Sequence, residues 1–147
     1  MKLNKLPPLF LLLFFFSCQR IETGKSLSTS DLKYIKSLHL LDTNEKLYKF
    51  YSEHTKKVAG NFFTDKRMAK YWIDERDSSK NEISSAFYSE IKSIDTVYQA
   101  GLTYCPYMLV TKKSGDTFKV CVEGNRNEVK AFFEDALQLW QNNRRVN

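Results

Sequence analysis

Two histidines and three cysteines in 147 residues leave little material for catalysis or for a metal centre. The chain has no HExxH, no GxSxG, no P-loop and no paired-cysteine metal motif, which removes the commonest hydrolase, nucleotide-binding and zinc-ribbon chemistries. His39 and His54 have no Cys or Asp at a ligand spacing, and Cys105 and Cys121 fall in other predicted elements, so the four ligands of a zinc site do not assemble from sequence. No catalytic residue, metal or cofactor is expected. Dense positive charge is also lacking. The formal net charge is +6, and the Lys and Arg are not gathered into the patch that a nucleic-acid binder needs, so nucleic acid is excluded as a partner. Leu9 to Phe16 is an unbroken apolar run of only eight residues, far short of the ~20 that span a bilayer.

That short run sits between a basic start, Lys2 and Lys5, and Ser17-Cys18, which is the layout of a secretory signal over residues 1–17. The Phe15-Phe16-Ser17-Cys18 junction resembles the lipobox of bacterial lipoproteins, with Ser17 and Cys18 matching and Phe15 and Phe16 standing for the usual Leu and small residue. The resemblance implies that Cys18 is lipidated and becomes the mature N-terminus, anchored in the membrane without spanning it. The alternative is an ordinary signal peptide with a cysteine near its cut. Loss of residues 1–17 leaves 21 basic against 17 acidic side chains, a net +4. Gln19-Arg20 after the cysteine points to the outer membrane of a bacterial envelope, facing the periplasm.

With 42% hydrophobic and 14% aromatic residues, the mature chain has enough for one core. Residues 18–30 are polar and aperiodic and read as a lipidated N-terminus and tether, with a single domain over 31–147. Ser30 is a possible N-cap for a short helix carrying Leu32, Ile35 and Leu38 and ending near His39. Residues 46–53 fit either periodicity, but Tyr and Phe favour a strand. With Asp65-Lys66 as a turn, the strands 58–64 and 67–73 pair Phe62 with Ala69, Gly60 with Tyr71 and Val58 with Ile73 on one side. Phe63, Met68 and Trp72 are left on the other side, to be covered by the N-terminal helix or to line a site. A charged loop, 75–81, precedes strands at 83–88 and 94–98, and a further strand at 107–112 turns at Ser114-Gly115 into the last.

In that last strand Phe118, Val120 and Val122 alternate with Lys119, Cys121 and Glu123. Val129, Phe132, Phe133, Ala136, Leu137 and Trp140 then form one stripe of a helix capped by Asn125 and Glu128, a stripe that must lie against a sheet. A two-residue turn at Ser114-Gly115 pairs Met108 with Cys121 and puts Cys105 opposite Gly124, so free thiols are expected at Cys105 and Cys121.

The 63–67 turn with Tyr71-Trp72, the Ile91-Lys92-Ser93-Ile94 run, the Phe118-Lys119-Val120 strand and the 129–140 helix together resemble a pleckstrin-homology-like domain. The resemblance implies a mainly β, α+β fold: a seven-stranded antiparallel barrel capped by the C-terminal helix, with a short N-terminal helix before it. It also implies a non-catalytic binding module. The loops 54–57, 75–81 and 112–116 are expected at one open end, where Lys56, Lys57, Arg76, Lys80, Lys112 and Lys113 would face an anionic lipid or an acidic protein surface. The competing reading is a carrier or sensor of a small apolar molecule, pleckstrin-homology-like or NTF2-like.

Overall fold

The computed structural model describes residues 21–101 and 104–144. The signal segment and Cys18 lie outside them. Eight strands and two α-helices follow one another: β1 (Glu22–Thr23), α1 (Thr29–Ser37), β2 (Leu47–Tyr51), β3 (Ala59–Thr64), β4 (Arg67–Trp72), β5 (Glu82–Phe87), β6 (Ile91–Val97), β7 (Tyr107–Lys112), β8 (Thr117–Cys121) and α2 (Arg126–Arg144). Single turns of 3-10 helix, at Ser78–Lys80 and Tyr88–Glu90, flank β5.

The strands form two antiparallel sheets, β1-β2-β3-β4-β5 and β6-β7-β8, which do not close into the expected seven-stranded barrel. Two causes are visible. The extra strand is β1, drawn from the expected tether: Glu22 and Thr23 pair with Phe50 and Lys49, Leu27 is buried, and Ser28 rather than Ser30 caps α1. At the seam a side chain takes the place of ladder pairing, since the Asn61 Oδ1 accepts from the Cys121 amide at 3.0 Å.

The central hairpin has the register that its large and small residues dictate. Gly60 faces Tyr71 and Phe62 faces Ala69, and the Ile73 amide donates to the Val58 carbonyl at 2.7 Å. A Cβ on Gly60 would stand 2.3 Å from the Tyr71 ring and 2.8 Å from that of Phe50, so this position has room only for hydrogen.

Because β2, β3 and β4 bury both faces, the first sheet is shared by two cores. On one side Phe50, Phe62, Ala69 and Tyr71 pack with Leu27, Ile35, Leu40 and Leu41 of α1 and its flanks. On the other side Tyr51, Phe63 and Met68 join Met108, Val110, Phe118 and Val120 of the second sheet and Val129, Phe132, Phe133, Ala136 and Trp140 of α2. The N-terminal helix therefore covers the face opposite to Phe63 and Met68. Those two side chains are core, and only Trp72 of the expected trio reaches solvent.

α2 starts where its cap was expected. The Asn125 Oδ1 accepts from the amides of Asn127 and Glu128 at 3.0 Å, and the Glu128 carboxylate accepts from the Asn125 amide at 3.0 Å. Phe132 meets the Phe63 ring edge-on at 4.9 Å. At roughly 1.5 to 3 kcal/mol per large side chain buried, this stripe outweighs any helix propensity in fixing α2. No helix among the described residues is long and apolar enough to cross a membrane.

The cysteines correct the sequence reading. Tyr107 pairs with Cys121 and Met108 with Val120, one residue away from the expected register, because three residues, ending in Gly115 at φ +99°, separate Lys112 from Asp116, whose carbonyl accepts from the Lys112 amide at 2.8 Å. The shift brings Cys105 and Cys121 onto one face, and they form a disulfide with Cα atoms 5.8 Å apart.

Candidate functional site

The six basic residues expected at one end are split between the two ends. Residues 52–58 follow β2 and residues 73–81 follow β4, so both loops lie where Ala59 pairs with Trp72 and Trp72 with Glu82. The β7–β8 turn is elsewhere: the Lys113 amide donates to the Glu90 carbonyl at 2.8 Å, beside the passage from β5 to β6. In an antiparallel meander the connections after the first, third and fifth long strands share one end, and this turn follows the sixth. Lys112 and Lys113 are thereby removed from the set.

Of the remaining four, Lys56 and Lys80 are paired with the chain's own acids. Lys56 sits 2.6 Å from Glu22 and 3.4 Å from Asp31, and Lys80 sits 3.4 Å from Asp77. Burial works against the Lys56 charge, but the hydrogen bond and attraction of Glu22, then Asp31, leave its pKa raised. Arg76 and Lys80 line a cleft of about 380 Å³ with His54, Trp72 and three acids, Asp74, Glu75 and Asp77. That end is not a basic surface.

A larger cavity, about 520 Å³, opens where α2 begins. Tyr98 and Gln99 past β6, Pro106 before β7 and Gly124 after β8 supply three sides, and Arg126, Val129 and Lys130 of α2 supply the fourth. Val129 belongs to the buried stripe, while Arg126 and Lys130 stand at i−3 and i+1 from it and are exposed. No carboxylate is among these lining residues. The two acids next to lining residues in sequence are otherwise engaged: Glu128 is folded back as the helix cap, and Glu123 accepts from the Tyr51 hydroxyl at 3.3 Å. An apolar floor with two cations and a volume inside the usual ~300–1,000 Å³ range suits a small amphiphile with an anionic group. Sequence reading missed the cavity because its walls come from two separate connections, β6–β7 and β8–α2, and from the first turns of α2. The one available signal was a pair of cations bracketing the first stripe residue.

A third cluster lies beside it. The ligand atoms of Glu53, Cys105 and Cys121 are within 4.8 Å of one another, all three residues being half-buried. The two cysteines were expected to stand apart, and the fold brings them together with Glu53 beside them. Burial raises the Glu53 pKa, the Lys70 charge pulls it down, and Glu123 and Glu82 push it up again. Tyr51 donates to Glu123 at 3.3 Å, and its own pKa is raised by burial first and then by Glu123.

No protein-family model matches this chain, and no curated protein matches it. Among solved structures, one similar chain is described as a DUF1696 family protein with a pleckstrin-homology domain from Shewanella loihica PV-4. It is 12% identical, has a TM-score of 0.48, and is matched over 75% of the present chain and 93% of its own. A likeness of that strength carries no functional argument. The bearing of the molecule on function rests on its own residues.

Proposed function

We propose that the chain is a non-catalytic binding module of pleckstrin-homology-like topology, held at a bacterial envelope through lipid on Cys18. Its ligand is an amphiphile whose apolar part enters the cavity at the start of α2 and whose anionic group meets Arg126 and Lys130. The observation that carries this reading is that cavity: apolar walls, two cations and no acid among its lining residues. This reading joins the two open from sequence, an anionic ligand and a small apolar one, and uses none of the loop lysines.

Desolvating an anion at this half-open site costs less than in a sealed cavity, and each cation adds attraction that weakens with salt as the Debye length falls to ~8 Å at 0.15 M. The test uses the full chain with Cys18→Ser and two probes of equal length, a long-chain carboxylate and the corresponding alcohol. Calorimetric titration should show tighter binding of the carboxylate, weakening as salt rises and lost in Arg126→Glu/Lys130→Glu. Equal affinity for both probes, or no binding of either by a folded chain, would overturn the reading. Intact mass of the wild-type protein extracted from envelope decides the anchor, since an unmodified Cys18 or a cut elsewhere removes it.

A further inference from the structure

The disulfide and the carboxylate beside it lie outside the proposed cavity and have a chemistry of their own. We propose that, once the Cys105–Cys121 bond is reduced, the two thiolates and the Glu53 carboxylate form a site for a thiophilic divalent cation of the zinc class.

The geometry is close to what such an ion needs. With Zn–S at ~2.3 Å and Zn–O at ~2.0–2.2 Å, ligand atoms around one tetrahedral ion stand roughly 3.3–3.9 Å apart. The three ligand atoms here already lie within 4.8 Å of one another, so side-chain rotation suffices. Their backbones are held by the two sheets: Cys121 closes β8, with its amide donating to Asn61, Cys105 precedes β7 by two residues, and Glu53 follows β2 by two. Glu123, two residues from Cys121, bonded to the Tyr51 hydroxyl and close enough to act on Glu53, is a further carboxylate for the fourth position. Lys70, which pairs with Glu82 at 2.5 Å and also attracts the Glu53 carboxylate, is the cation that a metal ion would compete with there. Two sulfur ligands select zinc or cobalt over magnesium or calcium.

The steps balance. A dithiol reductant gives two electrons and two protons to the Cys105–Cys121 bond and becomes a disulfide itself. Binding of the divalent ion then releases the two thiol protons. The oxidised chain has no thiolate to offer and does not bind the ion this way.

Cobalt(II) is the probe, added to the Cys18→Ser full chain after reduction and anaerobic removal of the reductant. One equivalent should produce a sulfur-to-cobalt charge-transfer band that zinc abolishes, and Glu53→Gln should weaken binding by at least about tenfold. Should reduction erase the near-ultraviolet circular dichroism, cobalt is expected to restore it along with the band. The proposal is overturned if the reduced chain gives no such band, if Glu53→Gln binds as tightly as wild type, or if the oxidised chain binds cobalt equally well.

Discussion

The two faces of the first sheet are covered by helices held in different ways. α2 brings five buried apolar side chains, two of them phenylalanines with no exposed surface, and is fixed by packing. α1 buries only Ile35 from its own span, and the connection that follows it is pinned by charge as well as by the buried Leu40 and Leu41. Arg67 in β4 lies 2.6 Å from Glu45 and 2.8 Å from Asp42, and it also donates to the His39 carbonyl at 3.4 Å. Thr64 donates to Glu45 at 2.5 Å, and the Phe87 ring lies 4.3 Å from the guanidinium. A helix with a weak stripe is thus secured through its exit loop. The comparison teaches that apolar periodicity locates both helices, the N-terminal one through Leu32, Ile35 and Leu38, without telling what holds each of them.

Two substitutions should separate these modes, each costing about 3 to 5 kcal/mol by a different route. Phe132→Ala empties space at the centre of the α2 core. Arg67→Ala strands the buried Glu45 carboxylate. Urea midpoints should show both losses, but only the second should be largely recovered by a compensating apolar change, Arg67→Met with Glu45→Met. Failure of that rescue would mean that Arg67 acts through packing and would remove the contrast. Trp140→Ala should cost less than Phe132→Ala, because the Trp140 Nε1 is buried without a hydrogen-bond partner and its loss relieves that penalty.

Smaller effects sharpen the same contrast. Gly60→Ala should cost about 1 to 3 kcal/mol by driving the Tyr71 ring into the α1 core while leaving the α2 core undisturbed. Chemical-shift changes confined to Leu27, Ile35 and Leu41 would check this, and changes spreading to Phe132 would refute it. Ser28→Ala removes the α1 cap and should cost about 1 kcal/mol. Its pH dependence has a defined sign. Although burial opposes ionisation, the hydroxyl and amide of Ser28, with Lys56, hold the Asp31 pKa below its usual value. A lowered carboxylate contributes stability above its unfolded value of ~3.9, which fades as pH falls through the folded value. The difference in melting temperature between wild type and Ser28→Ala should accordingly be present at pH 7 and shrink as pH falls below the unfolded value of ~3.9.

Much of the architecture was legible where one local rule acted alone. The β3–β4 register followed from small residues facing large ones, and the α2 cap from Asn125 and Glu128. β1 was hidden because two residues carry no periodicity and gain order only from pairing with β2. The cysteine pair was misread because one left-handed glycine, Gly115, lengthens a turn and moves every partner by one. The loop lysines were misplaced by topology: the ends of a meander alternate, and the sixth connection returns to the far side. Arg126 and Lys130, bracketing Val129, were the one trace of the cavity in the sequence, since a site assembled from segments distant along the chain exists only after folding.

The two-residue strand β1 has a mechanical meaning for an anchored protein. If Cys18 bears the lipid, three residues separate it from Glu22, which is already hydrogen-bonded into the first sheet. Four extended residue steps reach at most about 13 to 14 Å, whatever path they take. The domain would then be moored close to the bilayer on a short leash, with the β1–β2 edge nearest to it. Its search for a partner would proceed by gliding in the plane of the membrane, with almost no swing into the space beyond.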